Sequence, residues 1–161
     1  MLGQLLGVSA VLCAIWSPLA AEPIAGRASV IDGDTIEIHG TRIRLEGIDA
    51  PESRQICTER ETGEPVRCGQ KAAFFLAGML GEHTVACIEN GRDRYRRILA
   101  HCQVDGEDVG AAMVRAGWAL AFVRYSREYE AQEADARAAG AGLWATEFVV
   151  PWDWRAARRA K

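Results

Sequence analysis

The chain has no Cys-x-x-C pair and only three histidines in 161 residues, which removes the usual ligand spacing of a structural zinc site. It also lacks a basic surplus. Nineteen Lys and Arg against 22 Asp and Glu leave a net charge of −3, unlike the broad positive field of a general nucleic-acid binder. No stretch repeats and no low-complexity linker divides the chain, so its length suits one domain with a real hydrophobic core. Residues Met1–Ala21 carry no charged side chain. The apolar run Leu5 to Trp16, followed by Ser17-Pro18-Leu19-Ala20-Ala21, has the form of a signal peptide ending in a small-residue cleavage site. The competing reading is an uncleaved anchor, since the stretch is just long enough to span a bilayer. Pro18, the small-residue exit and the polar Glu22-Pro23 favour removal. Cys13, behind the large Leu12, is counted with the leader.

Four cysteines follow the leader: Cys57, Cys68, Cys87 and Cys102. An even number in an exported chain reads as two disulfides and an oxidising compartment, periplasmic or secreted. Three pairings are open. Cys57–Cys68, closing one loop, and Cys87–Cys102, placed symmetrically about Arg94-Tyr95, are favoured. Each would contribute roughly 3 kcal/mol by loop entropy.

Alternation predicts strands at Ala28–Ile31 and Thr35–Ile38 around Asp32-Gly33, and a third at Arg42–Ile48 after the His39-Gly40 turn. Arg54–Gly69 reads as a loop. Gln70–Leu80 is a predicted helix with Ala72, Phe75, Leu76 and Met79 on one face, stopped by Gly81. Phe74 and Phe75 are assigned to helix packing, and Trp118, Trp144, Trp152 and Trp154 to packing as well. Thr84–Ile88 and Ile98–Val104 make a hairpin across an arginine-rich turn. Helices follow at about Asp108–Ala116, ended by Gly117, and after Ser126 as cap, stopping at Gly140-Ala141-Gly142. This order suits an α+β, mainly β chain: an OB-fold, five-stranded antiparallel barrel with about three helices. The divisions are residues 1–21 as leader, 22–150 as the folded domain and 151–161 as a basic tail, read as solvated and frayed.

The chemistry concentrates in two places. Asp34, Asp49 and Glu52 are three carboxylates with Arg44 among them, and Arg97 closes the run Arg92-Asp93-Arg94-Tyr95-Arg96-Arg97. Hard oxygen ligands can hold a divalent cation and activate water, and guanidinium forks can clamp phosphate oxygens. Alone, Asp32-Gly33-Asp34 reads as a turn and Glu52 as a surface glutamate. An EF-hand is excluded, because the alternating ligand series and closing Glu are missing.

In order, Val30-Ile31-Asp32-Gly33-Asp34-Thr35, Arg44-Leu45-Glu46-Gly47-Ile48-Asp49-Ala50-Pro51-Glu52, Asp93-Arg94-Tyr95 before an arginine, and Gly142-Leu143-Trp144 resemble the thermonuclease, or staphylococcal-nuclease-like, family. The resemblance runs from about Ala28 to Trp144. It implies an OB-type barrel and calcium held by Asp34, Asp49 and the carbonyl oxygen of Ala50. It implies Glu52 as general base, and Arg44 and Arg97 as stabilisers of charge developing on the phosphorane. Arg94 and Tyr125 match residues near the nucleotide phosphate. The implied activity is hydrolysis of DNA and/or RNA leaving 3′-phosphate ends, by a monomer free of membrane once the leader is removed and without a stable protein partner. The alternative is an OB-fold nucleic-acid-binding module without catalysis. Three positions depart from the family pattern: Ala50 where Thr is frequent, Arg96 where Gly is usual, and Val123 where a second tyrosine stands. Loss of that tyrosine removes a stacking face worth about 1–3 kcal/mol per base.

Overall fold

The computed structural model describes residues 22–160; the leader assigned to residues 1–21 lies outside them. In chain order the elements are β1 (Ile24–Gly26), β2 (Ala28–Asp32), β3 (Thr35–Ile38), β4 (Thr41–Leu45), β5 (Ile48–Asp49), β6 (Cys57–Glu59), β7 (Pro65–Val66) and α1 (Cys68–Leu80). Then come β8 (Val85–Arg92), β9 (Ile98–Val104), β10 (Glu107–Asp108), α2 (Val109–Arg115), β11 (Leu120–Ala121), α3 (Glu130–Ala139), a 3-10 turn at Gly142–Ala145, β12 (Thr146–Glu147) and α4 (Pro151–Arg159).

The main sheet runs β1-β8-β9-β4-β3-β2, with β10 added to β9. Apolar residues alternate along it: Ile36, Ile38, Ile43, Leu45, Val85, Cys87, Ile98, Ala100, Cys102 and Val104 all point into one buried cluster with Ala72, Leu76 and Met113. This is the period-two pattern of a sheet with one covered face. His39 and Gly40 both take positive φ, 50° and 76°, the two-residue reversal whose twist suits a tight hairpin. It sets the β3–β4 register so that Arg44 faces Thr35. Disulfides join Cys57 to Cys68 and Cys87 to Cys102, the favoured pairs. The second links residues directly opposite each other on β8 and β9.

Several expectations are corrected. The sheet is mixed rather than all antiparallel, because β4 lies parallel to β9, with Ile43 beside Ile98 and Arg44 beside Leu99. Among the described residues four α-helices form rather than about three. The loop at 54–69 contains the paired strands β6 and β7 and the first two residues of α1. Phe74 and Phe75 do not pack inward: they are 66% and 37% exposed, while Cys68, Ala72, Leu76 and Leu80 form the buried stripe. Trp118, Trp144 and Trp152 do pack against the buried clusters, whereas Trp154 lies under the Arg158 guanidinium at 4.8 Å. Ser126 forms a local turn, its hydroxyl accepting from the Glu128 N–H at 3.2 Å, and α3 starts only at Glu130. The basic segment after residue 150 is not frayed but helical, with Pro151 in its first turn. No helix among the described residues is long and apolar enough to cross a membrane.

Candidate active site

The Asp32–Thr35 turn is held close to the rest of the site by a glycine. A Cβ on Gly33 would stand 2.7 Å from Ala50 Cβ and 2.9 Å from Ala72 Cβ, so only glycine lets this turn lie against both. Asp34, 3% exposed, is thereby set under the 49–52 segment. Its Oδ2 accepts from the Ala50 N–H at 3.0 Å and its Oδ1 from the Thr35 hydroxyl at 3.1 Å. The β4 register brings Arg44 to the same place. Its Nη1 donates to Asp34 Oδ1 at 2.5 Å and its Nη2 to Asp49 Oδ1 at 2.7 Å. Asp49 is fully buried, at the end of β5 where the short pairing with β11 sets it opposite Leu120.

Glu52 is placed by its backbone. The Gln55 N–H donates to Glu52 O at 2.7 Å, and Gly69, at the start of α1, lies flat on that carbonyl: a Cβ there would fall 1.8 Å from Glu52 O. Gly69→Ala should therefore push the Glu52 loop away. Overpacking of this kind costs about 1–3 kcal/mol, and both the urea midpoint and nuclease rate should fall. An unchanged midpoint would mean that the loop is not fixed by this contact.

The arginine-rich turn is built by Asp93. Its Oδ1 accepts from Tyr95 N–H at 2.8 Å and Arg97 N–H at 2.9 Å, and its Oδ2 from Arg97 Nε at 2.7 Å. Arg97 Nη1 then reaches Thr35 Oγ1 at 3.4 Å, beside Asp34. Arg96 is exposed and takes φ of 66°, a left-handed conformation where the family pattern has glycine and where a side chain costs about 1–2 kcal/mol. Desolvation opposes ionisation of Asp93, but the bonds and charge from Arg97 outweigh it and hold its carboxyl below the usual range. A lowered carboxyl stabilises the fold above its unfolded value, and that contribution is lost as pH falls through the folded one. Asp93→Asn should then cost about 1 kcal/mol at pH 7. Denaturation series should show the gap closing below about pH 4; a gap independent of pH would contradict this.

Arg155 completes the cluster, and nothing in the sequence reading pointed to it. Projecting from α4, its Nη1 donates to Asp49 Oδ1 at 3.0 Å and to Glu52 Oε1 at 2.9 Å, and its Nη2 to Asp49 Oδ2 at 2.7 Å. The one available signal was Pro151 ahead of Trp152, a helix start with an aromatic anchor.

Electrostatically, four carboxyls meet Arg44 and Arg155 here. Burial, then the neighbouring Asp34 charge, pushes Asp32 up to about 7. Asp49 is raised by burial and by Asp34, against the pull of Arg155 and Arg44. Arg44 is raised because Asp34 and Asp49 outweigh its burial, and Arg155 because Asp49 and Glu52 do so. Burial is the leading cause of both upward carboxyl shifts, and the Asp34 charge adds to each. Each carboxylate oxygen has two lone pairs. By the bonds above, Asp34 Oδ2, Asp49 Oδ2 and Glu52 keep acceptor capacity, and the Ala50 backbone adjoins Asp34. This all-oxygen donor set suits a hard divalent cation. Asp34, Asp49 and Glu52 do not themselves close into a tight carboxylate triad, since guanidinium groups lie between them. A separate group, His101, Asp108 and Glu128, has ligand atoms within 4.8 Å of one another; there Asp108 caps α2 through Ala111 N–H and accepts from the Tyr129 hydroxyl.

The two remaining candidates stay on the surface. Tyr125 is 75% exposed, with its ring 5.1 Å from Phe122, and Arg94 lies over the Tyr95 ring at 5.4 Å. Val123 is exposed as well.

A family profile described as staphylococcal nuclease homologue matches residues 42–146. The succinoglycan biosynthesis protein ExoI of Rhizobium meliloti (strain 1021) is 42% identical over 128 residues, covering 78% of this chain and 66% of that protein, slightly under two thirds of its length. A protein of Escherichia coli named as an uncharacterized endonuclease is 36% identical over 149 residues, covering 87% of this chain and 90% of its own. The micrococcal nuclease of Shigella flexneri is 33% identical over 148 residues, covering 81% and 79%.

Proposed function

We propose that this chain, which belongs to the staphylococcal nuclease family, is a nuclease: an exported, calcium-dependent phosphodiesterase of DNA and/or RNA that leaves 3′-phosphate ends. The sheet is read as an OB-type barrel, acting as a monomer. The observation that carries the reading is the buried Asp34–Arg44–Asp49 bridge with Glu52 beside it. Asp34, Asp49 and the Ala50 carbonyl would hold the cation, which supplies Lewis-acid polarisation of the phosphodiester.

The chain's own groups do the rest. Glu52 takes the proton of the attacking water, which needs an ionised carboxylate within hydrogen-bond reach. Arg97, locked by Asp93, presents its outer Nη groups toward the Thr35 side of the site, where they meet phosphate oxygens as charge builds on them. Arg44, held between Asp34 and Asp49, neutralises the same charge. Donors fixed in advance stabilise the transition state more than the ground state. Arg94 and Tyr125 contact the nucleotide at the rim. The two disulfides and the uncharged leader support an oxidising compartment.

Cleavage of single- and double-stranded DNA and RNA, each with calcium, with magnesium and with a chelator, tests the proposal. Cleavage restored by calcium and 3′-phosphate termini are the expected result. Undiminished cleavage in excess chelator would remove the cation from the mechanism.

A further inference from the structure

Arg155 reaches acidic residues that lie far from it in sequence. It stands 106 residues from Asp49 and 103 from Glu52 in sequence, yet it pairs with both. Its partner Asp49 has no solvent exposure, and the Arg155 side chain itself is only 28% exposed. The helix that delivers it is anchored at its start. Pro151 is buried, Trp152 stacks on Phe122 at 5.5 Å, and Gln55 Nε2 donates to Val149 O at 2.6 Å. Gln55 also donates its N–H to Glu52 O. One residue therefore ties the Glu52 loop to the chain leading into α4.

We infer that Arg155 serves as a resident counter-cation for Asp49 and Glu52, so that divalent-cation binding and the seating of α4 are linked and oppose each other. This rests on the reading of Asp34 and Asp49 as cation ligands. The reasoning is an acceptor count. Asp49 Oδ1 already takes one bond from Arg44 and one from Arg155, and Oδ2 takes another from Arg155. Asp49 Oδ2 and Glu52 keep lone pairs for a cation, but each carboxylate already carries an Arg155 bond, so a cation bound there sits beside a guanidinium on the same carboxylate, which repels it. Arg44 has a second partner in Asp34 and stays on rigid β4. Arg155 sits on a nine-residue helix outside the sheets, so it is the group free to yield. Linkage is reciprocal: whatever Arg155 takes from cation affinity, the cation takes from the hold on α4.

The test uses the whole mature protein and calcium alone, without nucleic acid. Calorimetric titration should show Arg155→Gln binding calcium about tenfold or more tighter than the wild type, within the usual range of coupling. Arg155→Lys, which keeps the charge but cannot fork across two carboxylates, should fall between them. Independently of any variant, calcium should speed backbone amide exchange across residues 151–159 of the wild type. A merely structural arginine predicts the opposite sign, since a loosened site binds calcium more weakly. Equal or weaker calcium binding by Arg155→Gln overturns the inference, as does exchange in α4 that calcium leaves unchanged or slows. Cleavage assays run alongside keep the two readings apart. A wild type that cleaves with calcium while Arg155→Gln binds no tighter refutes only the linkage. Tighter binding by the variant with no cleavage by either protein supports the linkage and refutes the nuclease. Absence of calcium binding in both proteins refutes the linkage together with the cation site.

Discussion

Asp34→Asn should reduce cation-supported cleavage by about 10³-fold or more, in keeping with the several kcal/mol that a bound cation contributes to such reactions. The isostere keeps the volume of a side chain that is 3% exposed, so the cost comes from charge and hydrogen bonding. Asp34 accepts from Arg44, the Thr35 hydroxyl and the Ala50 N–H. An amide has one acceptor oxygen to serve those three donors, and a donor left unmet costs about 1–3 kcal/mol. Part of this is offset, because removing the Asp34 charge relieves the second cause, after burial, of the rise of Asp32 to about 7. Activity should therefore collapse by far more than the fall in stability read from the urea midpoint accounts for, and calcium titration of the variant should show the cation affinity lost with it. Full activity in the variant would remove Asp34 from the cation site. Asp34→Ala is the poorer probe: it leaves the same donors with no oxygen at all and mixes loss of function with loss of fold.

What could be read from the sequence depended on how local the cause was. The Asp-Gly-Asp-Thr turn, the His39-Gly40 reversal and the Arg44–Thr35 register are set within a dozen residues, so alternation and turn chemistry reached them. The Cys87–Cys102 bridge followed from hairpin symmetry, because the two residues face each other across one antiparallel pair. The β4–β9 parallel contact was out of reach, since it joins segments more than fifty residues apart without a signal in either. On α1 the expected stripe of Ala72, Phe75, Leu76 and Met79 was too wide. The helix buries a narrow row at every fourth residue, Cys68, Ala72, Leu76 and Leu80, which leaves Phe75 at the edge. Arg155 was missed for a further reason. A run of arginines at the end of a chain looks like a solvated tail, and only the folded Asp49–Glu52 corner shows what one of them is for.

The sharpest separation of a nuclease from a binding module of the same fold comes from Arg97 and Glu52. Arg97 uses its Nε on Asp93 and directs Nη1 toward Thr35, so its fork is oriented before any phosphate arrives. Arg97→Lys keeps the charge, loses the planar fork and cannot hold Asp93 while reaching the same spot. If those donors matter mostly in the transition state, the single-turnover rate should fall by about 10²–10³, with oligonucleotide affinity nearly unchanged. Glu52→Gln keeps the size of the side chain and an oxygen to accept from Arg155, but it removes the base, and its rate should fall comparably. A binding module gives the reverse: weaker affinity for Arg97→Lys, no effect of Glu52→Gln, and no cleavage to lose. Single-turnover rates and oligonucleotide affinities for both variants decide between these. The wild-type pairing of Glu52 with Arg155 sharpens the second variant, because among the described residues Gln leaves Asp49 as the only charged partner of Arg155. Unchanged cleavage by Glu52→Gln would remove the general-base role from Glu52 even where Arg97→Lys behaves as expected.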